Sequence, residues 1–257
     1  MIGELISKRE VLATLVEKDF KSRYKAKALG RLWSIADPLV MVVIFTIVFA
    51  HILKVAQPFF PIFLLLALTP YRFFANSVNG AATSVLDNVQ LVKKVSFPRL
   101  MLPLAVVFSH LRHFFIELML VAALFLYFPE AFHLSWNLLW LPVLLAVQLV
   151  FIVGVGLTVA ALNVRYRDTH YILNSALLVM YWLTPLFYAF SFVPAPYDRV
   201  LMWNPMVGVV EGYRSVLLEG SAPSLMLLGA GTISALLTFA VGAAVFKHHE
   251  SSFADYL

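Results

Sequence analysis

Residues 87–99 read DNVQLVKKVSFPR and form the longest charged, proline-containing stretch inside an otherwise apolar chain. Long apolar runs lie on both sides of it. The stretch carries Lys93, Lys94 and Arg99, and basic residues in short loops mark the cytoplasmic side of a membrane protein. We therefore predict a cytoplasmic loop that joins two membrane spans and offers a surface on which another protein can act.

The composition is that of an integral membrane protein. Of 257 residues, 61% are hydrophobic and 13% are charged, with a mean hydropathy of +0.87, whereas soluble domains are less apolar and more charged. Backbone polar groups in hydrocarbon must be paired internally, so long apolar runs predict helices. The absence of cysteine excludes disulfides, thiolate catalysis and cysteine-ligated zinc. The first 27 residues mix acidic and basic side chains without an apolar core, so we expect no signal peptide.

Six apolar segments have about the 20 residues that a bilayer core requires. We predict spans one to six at residues 35–53, 61–84, 101–127, 137–162, 171–190 and 225–246. Fourteen of the nineteen Lys and Arg residues lie in residues 1–34, 85–100, 163–170 and 247–257. This distribution places both termini in the cytoplasm. Because no internal repeat is visible, we expect one all-α membrane domain over residues 1–257.

Residues 8–33, within the segment 1–34 that precedes span one, have the pattern of an interfacial amphipathic helix. Apolar side chains recur at helical spacing while Lys and Arg fill the other face. The apolar positions are Leu12, Leu15, Val16, Phe20 and Tyr24. A soluble helix docked on a partner is the alternative.

The segment 191–224, between spans five and six, combines prolines with short apolar runs. The runs at 199–203 and 206–218 are too short to cross a bilayer. We predict re-entrant or interfacial helices on the outer side. The prolines are Pro194, Pro196, Pro205 and Pro223.

Span two carries a polar strip. Arg72, Asn76, Asn79 and Thr83 follow at spacings of four, three and four, which at about 100° per residue puts them on one face of a helix. Arg72 falls near the membrane midplane, where a charge should face protein or water rather than lipid. The strip either lines a polar pathway, which we predict, or forms a hydrogen-bonded seam between helices.

Span five carries Tyr171, Asn174, Tyr181 and Tyr188 at heptad-like spacing. Tyrosines at the ends of a span can be interfacial anchors, but Tyr181 lies too deep for that. A tyrosine ring with its hydroxyl suits sliding contact with sugar rings. We predict that Asn174, Tyr181 and Tyr188 line the same pathway, with ordinary packing as the alternative.

Span three places His110, His113 and Glu117 on one face. Two histidines and a carboxylate can bind zinc, but ionisable residues at membrane depth more often pair with each other or with a neighbouring span. We therefore predict no metal site and no catalytic residue. The nucleotide-binding patterns GxxxxGK[S/T] and GxGxxG are absent, as are HExxH and GxSxG. Any energy must come from another chain or from a gradient.

Five stretches, taken together and in order, resemble a known family. They are DFKSRYKAKALGRLWSIADPL (19–39), LVKKVSFPRLMLPLA (91–105), LNVRYRDTHYIL (162–173), WLTPLFY (182–188) and NPMVGVVEGYRSVLLEG (204–220). The chain resembles the permease subunit of type II ABC exporters of lipid-linked polysaccharides, the Wzm, KpsM and TagG group. The likeness covers essentially the whole chain.

The resemblance implies a homodimer in the bacterial inner membrane, paired with two copies of a separate ATPase subunit that holds ATP and Mg. The cargo would be a polysaccharide on undecaprenyl diphosphate, with O-antigen favoured over capsule or teichoic acid. No nucleic acid is expected. The ATPase-coupling residues would be Asp87, Lys93, Lys94, Phe97, Pro98 and Arg99. The outer gate would comprise Asn204, Pro205, Glu211, Tyr213 and Arg214.

The lipid diphosphate itself has candidate ligands where the interfacial helix meets span one. These are Arg23, Lys25, Lys27 and Arg31. Arginine binds phosphate through a bidentate fork, although attraction to anionic lipids, about 1 kcal/mol per basic residue, is an equal alternative. Two other functions stay open. An intramembrane glycosyl or acyl transferase would use the His110 and Glu117 face, and a gradient-driven transporter would usually show inverted repeats.

Overall fold

A computed structural model describes residues 8–24, 33–54, 57–95 and 97–256, and the regular structure in these ranges is helical. The α-helices are α1 (Arg9–Tyr24), α2 (Trp33–Thr46), α3 (Phe60–Thr83), α4 (Val89–Lys94), α5 (Met101–Tyr127), α6 (Trp140–Arg165), α7 (Thr169–Leu183), α8 (Tyr197–Leu201), α9 (Pro205–Leu217), α10 (Leu225–Glu250) and α11 (Phe253–Tyr256). A π-helical segment, Ile47–Ile52, extends α2. Short 3-10 turns lie at Leu86–Asn88, Pro129–Ala131, Trp136–Leu139 and Phe190–Phe192. The all-α prediction is confirmed.

Four helical segments are long and apolar enough to cross a membrane: Phe60–Thr83, Met101–Tyr127, Trp136–Arg165 and Leu225–Glu250. They correspond to the predicted spans two, three, four and six, so the chain is a multi-pass membrane protein. The predicted span one is the shorter apolar helix Ala36–Ile52, and the predicted span five is the 15-residue α7. The count of six spans therefore stays a prediction.

Helix α3 lies at the centre of the fold. It packs against α5, α6, α7 and α9, and its residues 62–71 are all buried. Two side-chain amides of α6 donate to α3 backbone carbonyls: Gln148 Nε2 to Pro70 O and Asn163 Nδ2 to Ala82 O, both at 2.8 Å. Without water, a buried amide needs such a partner. These bonds fix α6 against α3.

Helices α6 and α10 make the closest helix contact. A Cβ added to Gly242 would lie 2.1 Å from the carbonyl oxygen of Gly154, and one added to Gly154 would lie 2.6 Å from the backbone nitrogen of Phe239. Small residues let helix backbones meet in membranes, where van der Waals packing drives association. Helix α6 thus packs closely against α10 on one side and against α3 on another.

The predicted extent of span five, 171–190, is wrong at its outer end, because α7 ends at Leu183. Thr184 has extended backbone angles (φ −86°, ψ 132°) and precedes Pro185, which disfavours helical geometry in the residue before it. Proline also lacks the N–H that a continuing helix would use. The chain then runs irregularly through a buried stretch, residues 184–187.

The two short apolar runs of residues 191–224 correspond to α8 and α9, so they are helical as predicted, and their re-entrant or interfacial placement stays a prediction. Asn204 caps α9, its Oδ1 accepting from the Met206 N–H at 3.0 Å, and Pro205 occupies the first turn, where its missing N–H costs nothing. Asn204 Nδ2 also donates to Thr184 Oγ1 at 3.1 Å. The start of α9 is thereby tied to the break after α7.

Candidate functional site

The polar strip of α3 is the exposed edge of a buried helix. Arg72, Asn76, Asn79 and Thr83 are all partly exposed, whereas the residues between them on the other faces are buried. The buried neighbours are Phe73, Phe74, Ser77, Val78, Ala81 and Ala82. The predicted single face is therefore present, and it is the partly exposed side of α3.

Arg72 connects three helices. Its Nη2 lies 2.6 Å from Asp37 Oδ2 on α2, and its Nε lies 3.4 Å from Glu117 Oε1 on α5. His113 Nε2 approaches the same Glu117 oxygen at 3.3 Å. Glu117 is 2% exposed and Asp37 is 58% exposed. The prediction that ionisable residues of span three pair with each other or with a neighbouring span is confirmed for His113 and Glu117.

Gly80 allows a close approach below this ion-pair group. A Cβ at this position would lie 2.7 Å from Val106 Cγ1, and 3.4 Å from both Arg23 Nη2 and His110 Nε2. His110 is buried, and its Nε2 has no hydrogen-bond partner among the described residues. The missing side chain lets the guanidinium of α1 and the imidazole of α5 meet beside the α3 backbone.

A cavity of about 460 Å³ lies at the Thr83 end of the strip, between α1, the end of α3 and the start of α5. We call it the inner pocket. Its polar lining comprises Lys18, Asp19, Ser22, Arg23, Thr83, Ser84, Asp87 and Asn88. The side chains are paired: Arg23 Nε with Asp19 Oδ2 at 2.8 Å, Lys18 Nζ with Asn88 Oδ1 at 2.7 Å, and Thr83 Oγ1 with Asp87 Oδ2 at 2.7 Å. Because Thr83 belongs to both, strip and pocket form one continuous polar surface.

Helix α1 lies along α5. Val16 is buried, Glu17 Oε2 pairs with Arg112 Nη1 at 2.8 Å, and the Arg112 guanidinium lies 5.9 Å from the Phe20 ring. Hydrogen bonds from Arg112 and Lys21 lower the pKa of the Glu17 carboxyl. Of the four candidate lipid-diphosphate ligands, Arg23 lines the inner pocket. Lys25, Lys27 and Arg31 lie outside the described residues.

The loop 87–99 contains one short helix, the six-residue α4. Its Lys93 and Lys94 are exposed, as is Asp87, and Val92 is buried. Phe97 and Pro98 are partly buried. Arg99 points inward, because its backbone N–H donates to Glu250 Oε1 at 3.1 Å and its guanidinium donates to the Glu250 carbonyl. The lysines thus face outward, while Arg99 fastens the loop to α10.

The predicted strip of span five is mixed in character. Asn174 is exposed, but the Tyr181 ring packs 5.3 Å from Tyr71, 5.7 Å from Trp182 and 5.5 Å from Phe187. The buried Tyr181 hydroxyl has no hydrogen-bond partner among the described residues. Tyr71, by contrast, donates its hydroxyl to the carbonyl of Leu177. Tyr188 is partly buried. This face of α7 is largely aromatic packing against α3.

Arg214 anchors the break that follows α7. The side chain is almost fully buried and donates to the carbonyls of Pro185 at 2.7 Å, Leu186 at 2.7 Å and Tyr188 at 3.2 Å. It also donates to Phe63 O at 3.3 Å and pairs with Glu211 at 2.7 Å. Irregular backbone at membrane depth needs such internal partners.

Sequence reasoning placed Arg214 in an outer gate but missed its anchoring role. A proline break inside a predicted span, followed by an arginine in an apolar helix, was the available signal. Tyr213 is buried beside Arg214, and Glu211 is partly buried. With Asn204 and Pro205 at the start of α9, the predicted gate residues form a closely packed group on one helix.

Comparison with known proteins gives a consistent set of relatives. A family model described as ABC-2 type transporter matches residues 10–218. The chain is 30% identical over 258 residues to an O-antigen export system permease protein, RfbA, of Myxococcus xanthus, covering 99% of this chain and 98% of the relative. It is 28% identical over 249 residues to an RfbA of Klebsiella pneumoniae, covering 96% and 95%. The polysialic acid transport protein KpsM of Escherichia coli is 24% identical over 244 residues, covering 91% and 92%.

Proposed function

The chain belongs to the ABC-2 type transporter family, as the five sequence stretches predicted, and we propose that it is the membrane subunit of an exporter of lipid-linked polysaccharide. The cargo is a glycan on undecaprenyl diphosphate, moved across the bacterial inner membrane. The two relatives named for O-antigen export favour O-antigen over capsule or teichoic acid. ATP and Mg are bound by two copies of a separate ATPase subunit, since this sequence lacks nucleotide-binding patterns.

The observation that carries the proposal is the polar surface running from Arg72 to the inner pocket. A hydrated glycan cannot pass through hydrocarbon, so it needs a path lined by polar groups. The strip is the side of α3 that packing within one chain leaves partly exposed. Two copies in a homodimer enclose such a path, with α2 completing the seam. Asn174 and Tyr181 of α7, together with Tyr188 in the stretch that follows it, add to its lining.

The topology we propose has six spans, with α2 and α7 as the first and fifth, and both termini in the cytoplasm. Residues 1–257 act as one membrane domain. Helix α1 lies in the inner interface, and residues 191–224 form a re-entrant outer gate. The Lys and Arg distribution supports this orientation.

The lipid diphosphate enters at the inner pocket. Arg23 lines it and can exchange its Asp19 partner for a phosphate oxygen, because arginine forms bidentate bonds with either group. Lys25, Lys27 and Arg31 follow in the sequence and add positive charge beside it. An Arg23→Ala variant should bind a lipid diphosphate more weakly in a titration with the purified protein. Unchanged affinity would leave only general attraction to anionic lipid.

The test of the function is co-expression with the ATPase subunit. We expect the ATPase to copurify with the chain and glycan export to require both. Charge reversal of the two exposed lysines, Lys93→Glu with Lys94→Glu, should uncouple export while the permease stays folded. Lys247→Glu changes another exposed lysine at the cytoplasmic end and is the matched control.

The same experiment separates the alternatives. A transferase using the His110 and Glu117 face, or a gradient-driven transporter, works without an ATPase subunit. Export that persists when the ATPase is absent would therefore overturn the proposal. In cells lacking the chain, the lipid-linked glycan that accumulates in the cytoplasm identifies the cargo.

A further inference from the structure

The end of α10 and the start of α5 are joined by a reciprocal contact. The Arg99 backbone N–H donates to Glu250 Oε1 at 3.1 Å, and the Arg99 guanidinium donates to the Glu250 carbonyl. Glu250 is the last residue of α10, and Arg99 comes two residues before α5. A cation thus meets the carbonyl end of one helix and a carboxylate meets the amide end of another. Both placements satisfy unpaired terminal groups and oppose the helix dipoles.

Phe253 extends this contact into an apolar cluster. Its side chain is 1% exposed, lies 6.0 Å from the Arg99 guanidinium and packs edge-on against Phe246 at 5.4 Å. The same cluster contains Val92 of α4 and Val164 of α6. A helix of six residues is too short to be stable alone. Helix α4 therefore depends on this cluster for its position.

Tyr256 reaches the end of α6, where the second cytoplasmic loop, residues 166–168, begins. The guanidinium of Arg165, the last residue of α6, lies 5.2 Å from the ring of its neighbour Tyr166 and 5.7 Å from the ring of Tyr256. The segment Glu250–Tyr256, which we call the strap, thus contacts the loop 87–99 through Glu250 and Phe253, and the start of the loop 166–168 through Arg165 and Tyr256.

We propose that the strap is a positioning element for coupling, which holds the two cytoplasmic loops as one unit so that a force on α4 moves α5, α6 and α10 together. The proposal rests on the function above, in which the ATPase acts on α4. Without the strap, the same force would bend the short α4 locally. Glu250 and Phe253 act through Arg99 and Val92, not by touching the cargo.

The test uses the complete complex with its ATPase in proteoliposomes. Phe253→Ala and Glu250→Ala should lower the amount of glycan moved per ATP hydrolysed several-fold, while the ATPase still copurifies. Glu250→Gln keeps an oxygen for the Arg99 N–H and should retain most coupling. Lys247→Ala, on an exposed position of α10, should match the wild type. A second measurement needs no transport: a nitroxide on Lys94→Cys, in a chain without other cysteines, should become more mobile in Phe253→Ala and Glu250→Ala.

Two results would contradict the proposed role of the strap. The first is that both alanine variants keep the probe mobility and the coupling of the wild type. The second is that export falls only as far as the amount of assembled complex falls. If the wild-type complex hydrolyses ATP without moving glycan, the proposed function fails instead. The mobility of the Lys94 probe then still decides whether the strap holds the loop.

Discussion

Helices α3 and α7 carry polar strips with the same kind of spacing, yet they occupy different surroundings. In α3 the strip is the open edge of a helix whose other faces are buried. In α7 only Leu173 and Leu177 are buried, and the exposed side chains include the apolar Ile172, Leu178, Val179 and Trp182. A polar strip therefore marks a pathway most clearly where the rest of its helix is enclosed by protein.

The largest expected effect on stability concerns the break after α7, which depends on Arg214 of α9. Arg214→Ala removes the donor to the carbonyls after Leu183 and leaves the partly buried Glu211 without its partner. Removing one member of a buried ion pair costs about 3–5 kcal/mol, so we expect a much lower unfolding temperature and yield. Arg199→Ala, an exposed arginine of the same region, should change stability by less than about 0.5 kcal/mol. Equal stability of the two variants would mean that the break after α7 needs no anchor.

A smaller effect is expected on the strip of α3. Arg72→Ala leaves the buried Glu117 with His113 as its remaining ion-pair contact, and because Arg72 is partly exposed we expect a loss of about 1–2 kcal/mol. Arg112→Ala breaks a pair in which both side chains are about half exposed and should cost about 0–1 kcal/mol. Thermal unfolding in detergent measures both. If Arg112→Ala lost more stability than Arg72→Ala, the pair of Arg112 with Glu17 would contribute more to stability than the contacts of Arg72, contrary to this prediction.

The smallest expected effect on stability distinguishes Tyr71 from Tyr181, the two tyrosines in contact where α3 meets α7. Tyr71→Phe removes a hydrogen bond to Leu177 O and should cost about 1 kcal/mol. Tyr181→Phe removes a buried hydroxyl that has no partner among the described residues, so stability should stay the same or rise slightly. If Tyr181→Phe is the more destabilising of the two, the hydroxyl has a role that aromatic packing does not explain.

Much of the fold follows from local sequence. The prediction of residues 101–127 coincides with α5, because a long apolar run between charged loops defines both ends of a span. The end of α7 was missed although Pro185 is visible in the sequence. A helix can break at membrane depth only where a hydrogen-bond donor reaches the freed backbone carbonyls. Here that donor is Arg214, which lies 29 residues from Pro185 in the sequence.

The candidate site, like the fold, has features that local sequence predicts and features that depend on residues far apart in the sequence. The α3 strip was predictable because helical spacing places its residues on one face. The pairing of Arg72 with Asp37 spans 35 residues and that of Arg99 with Glu250 spans 151, and no local pattern reveals either. Arg99 bonds within the chain to Glu250, which the sequence did not indicate, and its predicted part in ATPase coupling stays a prediction. Charge alone did not distinguish it from Lys93 and Lys94.

The account depends most on the claim that the α3 strip faces a water-filled path. The chain has no cysteine, so single cysteines at Asn76 and Asn79 can be compared with cysteines at Met119 and Leu126, exposed positions on the apolar α5. The measurement is the rate of reaction with a water-soluble thiol reagent while the ATPase is turning over. We expect Asn76→Cys and Asn79→Cys to react and Met119→Cys and Leu126→Cys to stay unmodified. If the strip positions react no faster than the α5 positions, the strip is a packing seam and the pathway lies elsewhere.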